Sequence, residues 1–148
     1  MAYIPENAEW FLGQIVEEIR VAGQRENIVH ISYLLINART PEEAYRKALK
    51  LGEQCNCSYK NEHNEQVTVR FVGLRDLDVI HGPLEHGCEI MFNEKLGVNK
   101  RNLKQLVRKK KDLEAFLPIR ERPGRPNYAS KEVMDEARVY FTEKRKDS

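Results

Sequence analysis

Apolar and polar residues alternate through much of the stretch from Val67 to Phe92, and this pattern predicts the centre of a small antiparallel sheet. The alternation is interrupted at Gly73 and again at Gly82-Pro83, where turns are predicted. The stretch therefore predicts three strands, at residues 67–72, 77–80 and 88–92.

Two more strands are predicted before this stretch. Residues 10–21 fit one face of a strand, and although their spacing also fits a helix, Gly13 is unfavourable in a helix interior. Residues 28–37 are rich in β-branched and large apolar side chains and predict the next strand, after a hairpin connection at 22–27. One face of this predicted strand carries Val29, Ile31, Tyr33 and Leu35, and the other carries Ile28, His30, Ser32, Leu34 and Ile36. Because both faces are apolar towards the end of the strand, we expect it to be central in the sheet.

A capped helix is predicted from Thr40 to Gly52. Thr40 can accept a hydrogen bond from the amide of Glu43, and Pro41 occupies the first helical position, where its missing N–H costs nothing. Gly52 is expected to end the helix in a left-handed conformation. The stripe expected to pack on the sheet consists of Ala44, Tyr45, Ala48 and Leu49.

The remainder of the chain predicts a loop, two helices and a linker. Residues 53–65 are polar and loop-like, and Asn99 caps a basic helix. Residues 118–129 hold three prolines and a glycine, which is typical of a linker. Ser130 begins a last helix, whose apolar face consists of Val133, Ala137, Tyr140 and Phe141.

The predicted order, β-β-α-β-β-β-α followed by a linker and a C-terminal helix, is typical of an α+β fold with helices on one face of an antiparallel sheet. We expect an α+β domain at residues 1–117, a linker at 118–129 and the C-terminal helix at 130–148. The other face of the sheet then needs water, a ligand or a partner.

Composition favours a soluble cytoplasmic protein. Of the 148 residues 41% are hydrophobic and 32% are charged, and no apolar run approaches the roughly 20 residues of a membrane helix. The N-terminus lacks the basic-then-apolar pattern of a signal peptide. Three cysteines are an odd number, which agrees with a reducing compartment and free thiols.

The net charge of +2 conceals a strong asymmetry. Residues 1–94 carry 9 Lys or Arg against 15 Asp or Glu, whereas residues 95–126, the basic segment, carry 11 against 3. The basic segment predicts contact with an acidic partner or with nucleic acid, although no aromatic residue is interleaved to stack on bases. Its candidate contact residues are Lys100, Arg101, Lys104, Arg108, Lys109, Lys110 and Lys111.

Motifs for catalysis and cofactors are absent from the sequence: there is no G-x-S-x-G, no phosphate-binding glycine loop, no H-E-x-x-H and no dinucleotide fingerprint. Cys55 and Cys57 are too close for the usual zinc spacing, so no metal or cofactor is expected. Ionisable residues are dense around residues 70–89, where a histidine between carboxylates could bind a partner or transfer a proton. These candidate binding residues are Arg70, Arg75, Asp76, Asp78, His81, Glu85, His86 and Glu89.

Residues from Trp10 to about Phe116 resemble a small bacterial family, domain of unknown function 4288. The segments that carry the resemblance are, in order, WFLGQIVEEIRV, IVHISYLLINA, TPEEAYRKALKLG, VRFVGLRDLDVI and LEHGCEIMF. The resemblance supports a strand at residues 10–21. It implies no activity, cofactor or catalytic residue.

Three functions are compatible with these patterns. The first is a non-enzymatic protein-interaction module, in one version an immunity or antitoxin protein that masks a toxin electrostatically. The second is a nucleic-acid-binding protein that uses the basic segment. The third is a small enzyme built on Asp76, His81, His86 and Glu89. The apolar face of the last helix needs a cover, so we expect this helix either to fold back on its own domain or to lie against a second subunit, and we favour the homodimer.

Overall fold

The computed structural model describes residues 3–118 and 126–146. Four strands of this part of the chain form one antiparallel sheet in the order β2-β1-β4-β3, and the α+β class is confirmed. The elements are β1 (Trp10–Val21), β2 (Ile28–Asn37), α1 (Pro41–Gln54), β3 (Cys57–Lys60), β4 (Gln66–Val79), α2 (Lys100–Gln105), two 3₁₀ turns (Lys110–Asp112 and Glu114–Phe116) and α3 (Lys131–Lys146).

The chain divides into two compact units. Residues 1–90 and 126–148 form unit 1, which contains the sheet, α1 and α3, and residues 91–125 form unit 2, which contains α2 and the 3₁₀ turns. The domain boundaries predicted from the sequence, at residues 117 and 129, stay a prediction. Residues 119–125 of the predicted linker lie outside the described residues.

The strand prediction for residues 10–21 is confirmed, because they form β1, the central strand that pairs with both β2 and β4. The prediction that residues 28–37 form a central strand is wrong. They form β2, which lies at an edge of the sheet and pairs only with β1 among the described strands. The apolar residues on both faces of β2 suggested a buried strand, but those on one face are exposed.

Residues 66–79 form one continuous strand, β4, instead of the two short strands predicted. The pairing of β4 with β1 shifts register twice, and these irregularities accommodate the interruption at Gly73 without ending the strand. The predicted loop at 53–65 contains β3, which pairs with the start of β4. No strand forms at residues 88–92, and Ile90 is 50% exposed.

Helix α1 begins as predicted. The Thr40 hydroxyl accepts a hydrogen bond from the Glu43 amide at 3.2 Å, and the Glu43 carboxylate accepts one from the Arg39 amide at 3.1 Å. The predicted end at Gly52 is wrong, since the helix continues to Gln54 and Gly52 is one of its buried residues. The prediction that Tyr45 packs on the sheet is also wrong, because its side chain is exposed.

One face of the sheet, the inner face, is covered at its two ends by different parts of unit 1. Under α1 lies a cluster formed by Ala8, Phe11, Ile36, Ala38, Ala44, Ala48 and Val79. At the other end Ile19, Val21 and Val67 form a second cluster with the half-buried Tyr59. The Tyr59 hydroxyl donates to the carbonyl of Tyr128, whose ring makes an edge contact with His30. The chain segment before α3 therefore packs beside the second cluster.

The start of α3 is anchored to the turn between β3 and β4. Ser130 forms a β-bridge with Asn61, and Arg138 donates to the Glu62 carboxylate. Val133 of the predicted apolar face is exposed, and the side chains of Tyr140 and Phe141 lie outside the described residues. A homodimer through this helix stays a prediction.

The predicted basic helix is shorter than its charge pattern suggested. Asn99 caps it as predicted, accepting from the Asn102 amide at 2.8 Å, but α2 ends at Gln105. Lys110 and Lys111 instead lie in a 3₁₀ turn. Throughout the described ranges, no helix combines the length and apolar character required to cross a membrane.

Candidate binding surface

Strand register defines a second face of the sheet, opposite α1, which we call the outer face. Opposite residues of an antiparallel pair lie on the same face, and alternate residues of a strand lie on opposite faces. Val16 opposes Ile31, and Gln14 opposes both Tyr33 and Asp76. The outer face therefore carries side chains from all three of β2, β1 and β4.

The β2 side of the outer face is an exposed row of apolar side chains, which we call the apolar row. Val29, Ile31, Tyr33 and Leu35 are 52%, 38%, 53% and 49% exposed. The alternation that places them on one face was recognised in the sequence. Leu12 and Gln14, next to this row on β1, are buried.

Glu18 of β1 forms the centre of the polar contacts on the outer face. Its carboxylate accepts a hydrogen bond from Asn27 Nδ2 at 2.7 Å, and Arg70 Nη2 lies 3.3 Å away. Arg20 Nη2 also lies 3.4 Å from it. The Asn27 hydrogen bond, followed by that from Arg70, holds the pKa of the Glu18 carboxyl below its usual range. Arg70 is a candidate from the sequence, whereas Glu18 is not among the sequence-predicted residues.

Two of the candidate carboxylates also lie on the outer face. Asp76 opposes Gln14, and Asp78 opposes Leu12. Each carboxylate accepts from the next backbone amide, at 2.9 Å from Leu77 N and 2.8 Å from Val79 N. Arg75 has no opposite residue on β1, because it is the extra residue at a register shift.

The remaining candidates lie in residues 81–90, which form neither helix nor strand. His81, Glu85, His86 and Glu89 are all exposed. Among the residues that the structure describes, no hydrogen bond or ion pair joins any two of these four side chains. The structure thus places Arg70, Asp76 and Asp78 on the outer face, whereas His81, Glu85, His86 and Glu89 lie outside the strands.

The seven candidate side chains of the basic segment lie in unit 2, and all of them are exposed. Lys110 Nζ lies 5.2 Å above the ring of Phe116, a cation–π contact. Within the described part of the chain, none of the seven forms an ion pair with a carboxylate. Among the described residues, no Asp or Glu therefore neutralises the positive charge of these seven side chains by an ion pair.

The cysteines are free thiols, of which Cys55 and Cys88 are half-buried and Cys57 is exposed. Cys55 donates to the Leu51 carbonyl at 3.4 Å. Burial, followed by the nearby charge of Glu17, raises the pKa of the Cys55 thiol, which disfavours the thiolate that a metal or a nucleophilic reaction requires. In the described ranges no three His, Cys, Asp or Glu side chains are placed to hold a metal ion.

A family model described as domain of unknown function (DUF4288) matches residues 10–92. The chain belongs to the DUF4288 family. No curated protein and no solved structure matches the chain. The DUF4288 match begins at the first residue of β1 and includes the sheet, α1 and every candidate binding residue from Arg70 to Glu89. It ends before the basic segment and α3, whereas the resemblance in the sequence extended to about residue 116.

Proposed function

We propose that the DUF4288 domain of this chain is a protein-interaction module that binds a protein partner through the outer face. The apolar row is the observation that supports this proposal. Monomeric proteins expose scattered apolar side chains, but a contiguous row along one strand is typical of a recognition surface. Tyr33 in this row is an aromatic residue of the kind enriched at interface centres.

The charges near the Leu35 end of the apolar row favour a partner with a basic surface, whereas near the Val29 end Glu18 is paired with Arg20 and Arg70. Across β1 from the row lie the carboxylates of Asp76 and Asp78, and the segment beyond them adds Glu85 and Glu89. Residues 1–94 carry six more acidic than basic residues. An apolar centre with an acidic margin fits a partner whose own apolar patch is surrounded by Lys and Arg, and complementary charge would speed association. An immunity or antitoxin role, in which this surface masks a basic toxin, is the specific version that we propose.

The test compares two tyrosines of similar exposure on opposite sides of unit 1. Tyr33→Lys places a charge within the apolar row, and Tyr45→Lys places the same charge on α1, where the side chain is 48% exposed. Proteins of the host are captured on the immobilised wild-type chain, and the affinity of each captured protein is then measured for all three chains. We expect Tyr33→Lys to weaken the partner at least about tenfold, because a buried unpaired charge in an interface centre costs about 2 kcal/mol or more.

Tyr45→Lys should leave the affinity unchanged, and circular dichroism should show both variants folded. Equal weakening by the two variants would mean that the outer face does not select the partner. The proposal would also be rejected if no protein bound the wild-type chain at micromolar concentration.

A second candidate function, nucleic-acid binding, is favoured by the exposed basic segment. Lys109, Lys110 and Lys111 can each release a counterion from a phosphate backbone, which makes affinity depend steeply on salt. Changing all three to Glu should strongly weaken the retention of RNA or DNA at low salt and reduce the slope of log K against log salt by about three.

The matched control for this second test changes Arg25, Arg39 and Arg46 of unit 1 to Glu, an equal change of net charge at exposed positions. If the basic segment binds phosphates, this control should lose much less retention. Unchanged retention in the triple-lysine variant would eliminate the nucleic-acid hypothesis.

A further inference from the structure

The outward edge of β2 has backbone groups that its sheet does not use. The Ala38 amide donates to the Glu9 carbonyl at 3.0 Å. These two residues form the next opposite pair after Trp10 and Asn37. In an antiparallel pair every second residue bonds to the neighbouring strand, so the even-numbered residues of β2 bond to β1. The hydrogen bond from the Ile80 amide to the Trp10 carbonyl supports this assignment. It indicates that the even-numbered residues of β1 bond to β4, which leaves the odd-numbered residues of β1 to bond to the even-numbered residues of β2.

The odd-numbered residues of β2 therefore point their N–H and C=O groups away from the sheet. These residues are Val29, Ile31, Tyr33 and Leu35, the same four that form the apolar row. In the described part of the chain no backbone hydrogen bond reaches them from outside the β1 pairing. At the end of the strand the outward carbonyl of Asn37 does have a partner in the described part of the chain, because it accepts a hydrogen bond from Lys47 Nζ at 2.6 Å.

Edge strands of stable monomers usually carry features that prevent pairing, and β2 has none of them along its length. Its ten residues, IVHISYLLIN, include no Lys, Arg, Asp, Glu, Pro or Gly. Its register with β1 is continuous from Ile28 to Asn37, without a bulge. The opposite edge differs, because β3 has four residues, ends in Lys60 and is followed by the bridge from Asn61 to Ser130. One edge of the sheet is protected and the other is not.

We propose that β2 pairs antiparallel with β2 of a second copy of this chain, which joins the two sheets into one of eight strands. A two-fold axis perpendicular to the sheet keeps both apolar rows on the same face. With the axis at Ser32, Val29 opposes the partner's Leu35 and Ile31 opposes the partner's Tyr33. This register matches all four outward residues of each copy with outward residues of the other.

The side chains and the bonding pattern of β2 favour a second copy of the chain as the partner of its outward edge. The outward residues are all apolar, so the register creates apolar cross-strand pairs and no opposition of like charges. An antiparallel partner also presents the same alternation of bonding residues as β2 itself, which makes the strand self-complementary. The paired edges then satisfy the backbone groups that each chain alone leaves to water.

The first experiment measures mass by sedimentation of the wild-type chain and two variants at Tyr33. Tyr33→Pro removes an N–H that points away from the sheet, and it removes no hydrogen bond to β1. Edge strands tolerate proline at such positions. Tyr33→Ala is the matched control, because it removes the side chain and keeps the N–H. We expect a wild-type species of about twice the 17.3 kDa of one chain. Tyr33→Pro should raise the dimer dissociation constant at least about tenfold more than Tyr33→Ala does.

A wild-type chain that stays monomeric at 100 μM overturns the proposal, as does equal weakening by the two variants. A dimer that Val139→Lys dissociates and Tyr33→Pro leaves intact would also overturn it, because Val139 is an exposed residue of α3. That result would instead place the contact at the C-terminal helix.

A disulfide test gives an independent answer if Tyr33→Pro fails to fold. In a chain whose three cysteines are replaced by serine, Ser32→Cys places thiols opposite each other at a non-bonded pair, about 4.5 Å apart at Cα, within reach of a disulfide. Tyr33→Cys, although more exposed, lies two residues away from its symmetry mate and beyond the roughly 7 Å limit. Mild oxidation should link the Ser32→Cys chains and not the Tyr33→Cys chains, and the reverse order would contradict the proposed register.

Discussion

Replacing Phe11 with alanine is expected to lower the free energy of unfolding by about 3–5 kcal/mol, the cost of removing a fully buried aromatic ring. Phe11 is 1% exposed and belongs to the cluster between the sheet and α1. Its neighbours Ala44 and Ala48 are small side chains on a helix, so they have little freedom to fill the space that the ring leaves. The loss is measured from the midpoint and slope of urea unfolding.

The control for Phe11 is Tyr45→Ala, which removes an aromatic ring of similar size from the exposed side of α1. We expect this variant to change the free energy of unfolding by about 0.5 kcal/mol or less. If the two substitutions cost the same, the cluster under α1 would not be the principal core of unit 1.

Local signals in the sequence predicted most of the first half of the chain. The Thr40 cap, Pro41 and the capping contact with Glu43 depend on residues within one helical turn, so neighbouring letters were sufficient to locate the start of α1. The alternation in residues 10–21 and 28–37 likewise predicted β1 and β2 and the two faces of β2. These features need only the period of the local backbone.

The position of a strand in the sheet is a non-local property, and the sequence did not predict it. A strand with two apolar faces is usually central, and β2 violates this tendency because its apolar row is exposed at an edge. The continuity of β4 through Gly73 was missed for a similar reason. A glycine is typical of a turn in isolation, but here long pairing with β1 carries the strand past two register shifts.

The candidate surface was predicted in part. Arg70, Asp76 and Asp78 lie on the outer face as members of one strand, which their spacing indicates once β4 is known to be continuous. Glu18 was missed because it reaches Arg70 across a strand pair, 52 residues apart in the chain.

Local and non-local effects act in opposite directions at Gly52, and its replacement by alanine is the second prediction with a large expected effect. Within a helix, alanine is favoured over glycine by about 1 kcal/mol, so local propensity alone predicts stabilisation. In the folded chain, however, a Cβ at residue 52 would lie 2.4 Å from Cε2 and 2.5 Å from Cζ of the Phe71 ring. The ring lies directly against the glycine, so it must move as a whole. We expect Gly52→Ala to lower the free energy of unfolding by about 1–3 kcal/mol, the usual cost of overpacking.

The decisive comparison repeats Gly52→Ala in a chain that already carries Phe71→Ala. Without the ring, the new methyl group meets no Phe71 atom beyond Cβ, and the helix propensity of alanine should then dominate. The same substitution is therefore expected to destabilise the wild-type chain and to stabilise the Phe71→Ala chain by up to about 1 kcal/mol, a coupling that a double-mutant cycle in urea measures directly. Stabilisation in both backgrounds would mean that the helix moves away from β4 at little cost. In that case Gly52 would not be required for the close packing of α1 on the sheet.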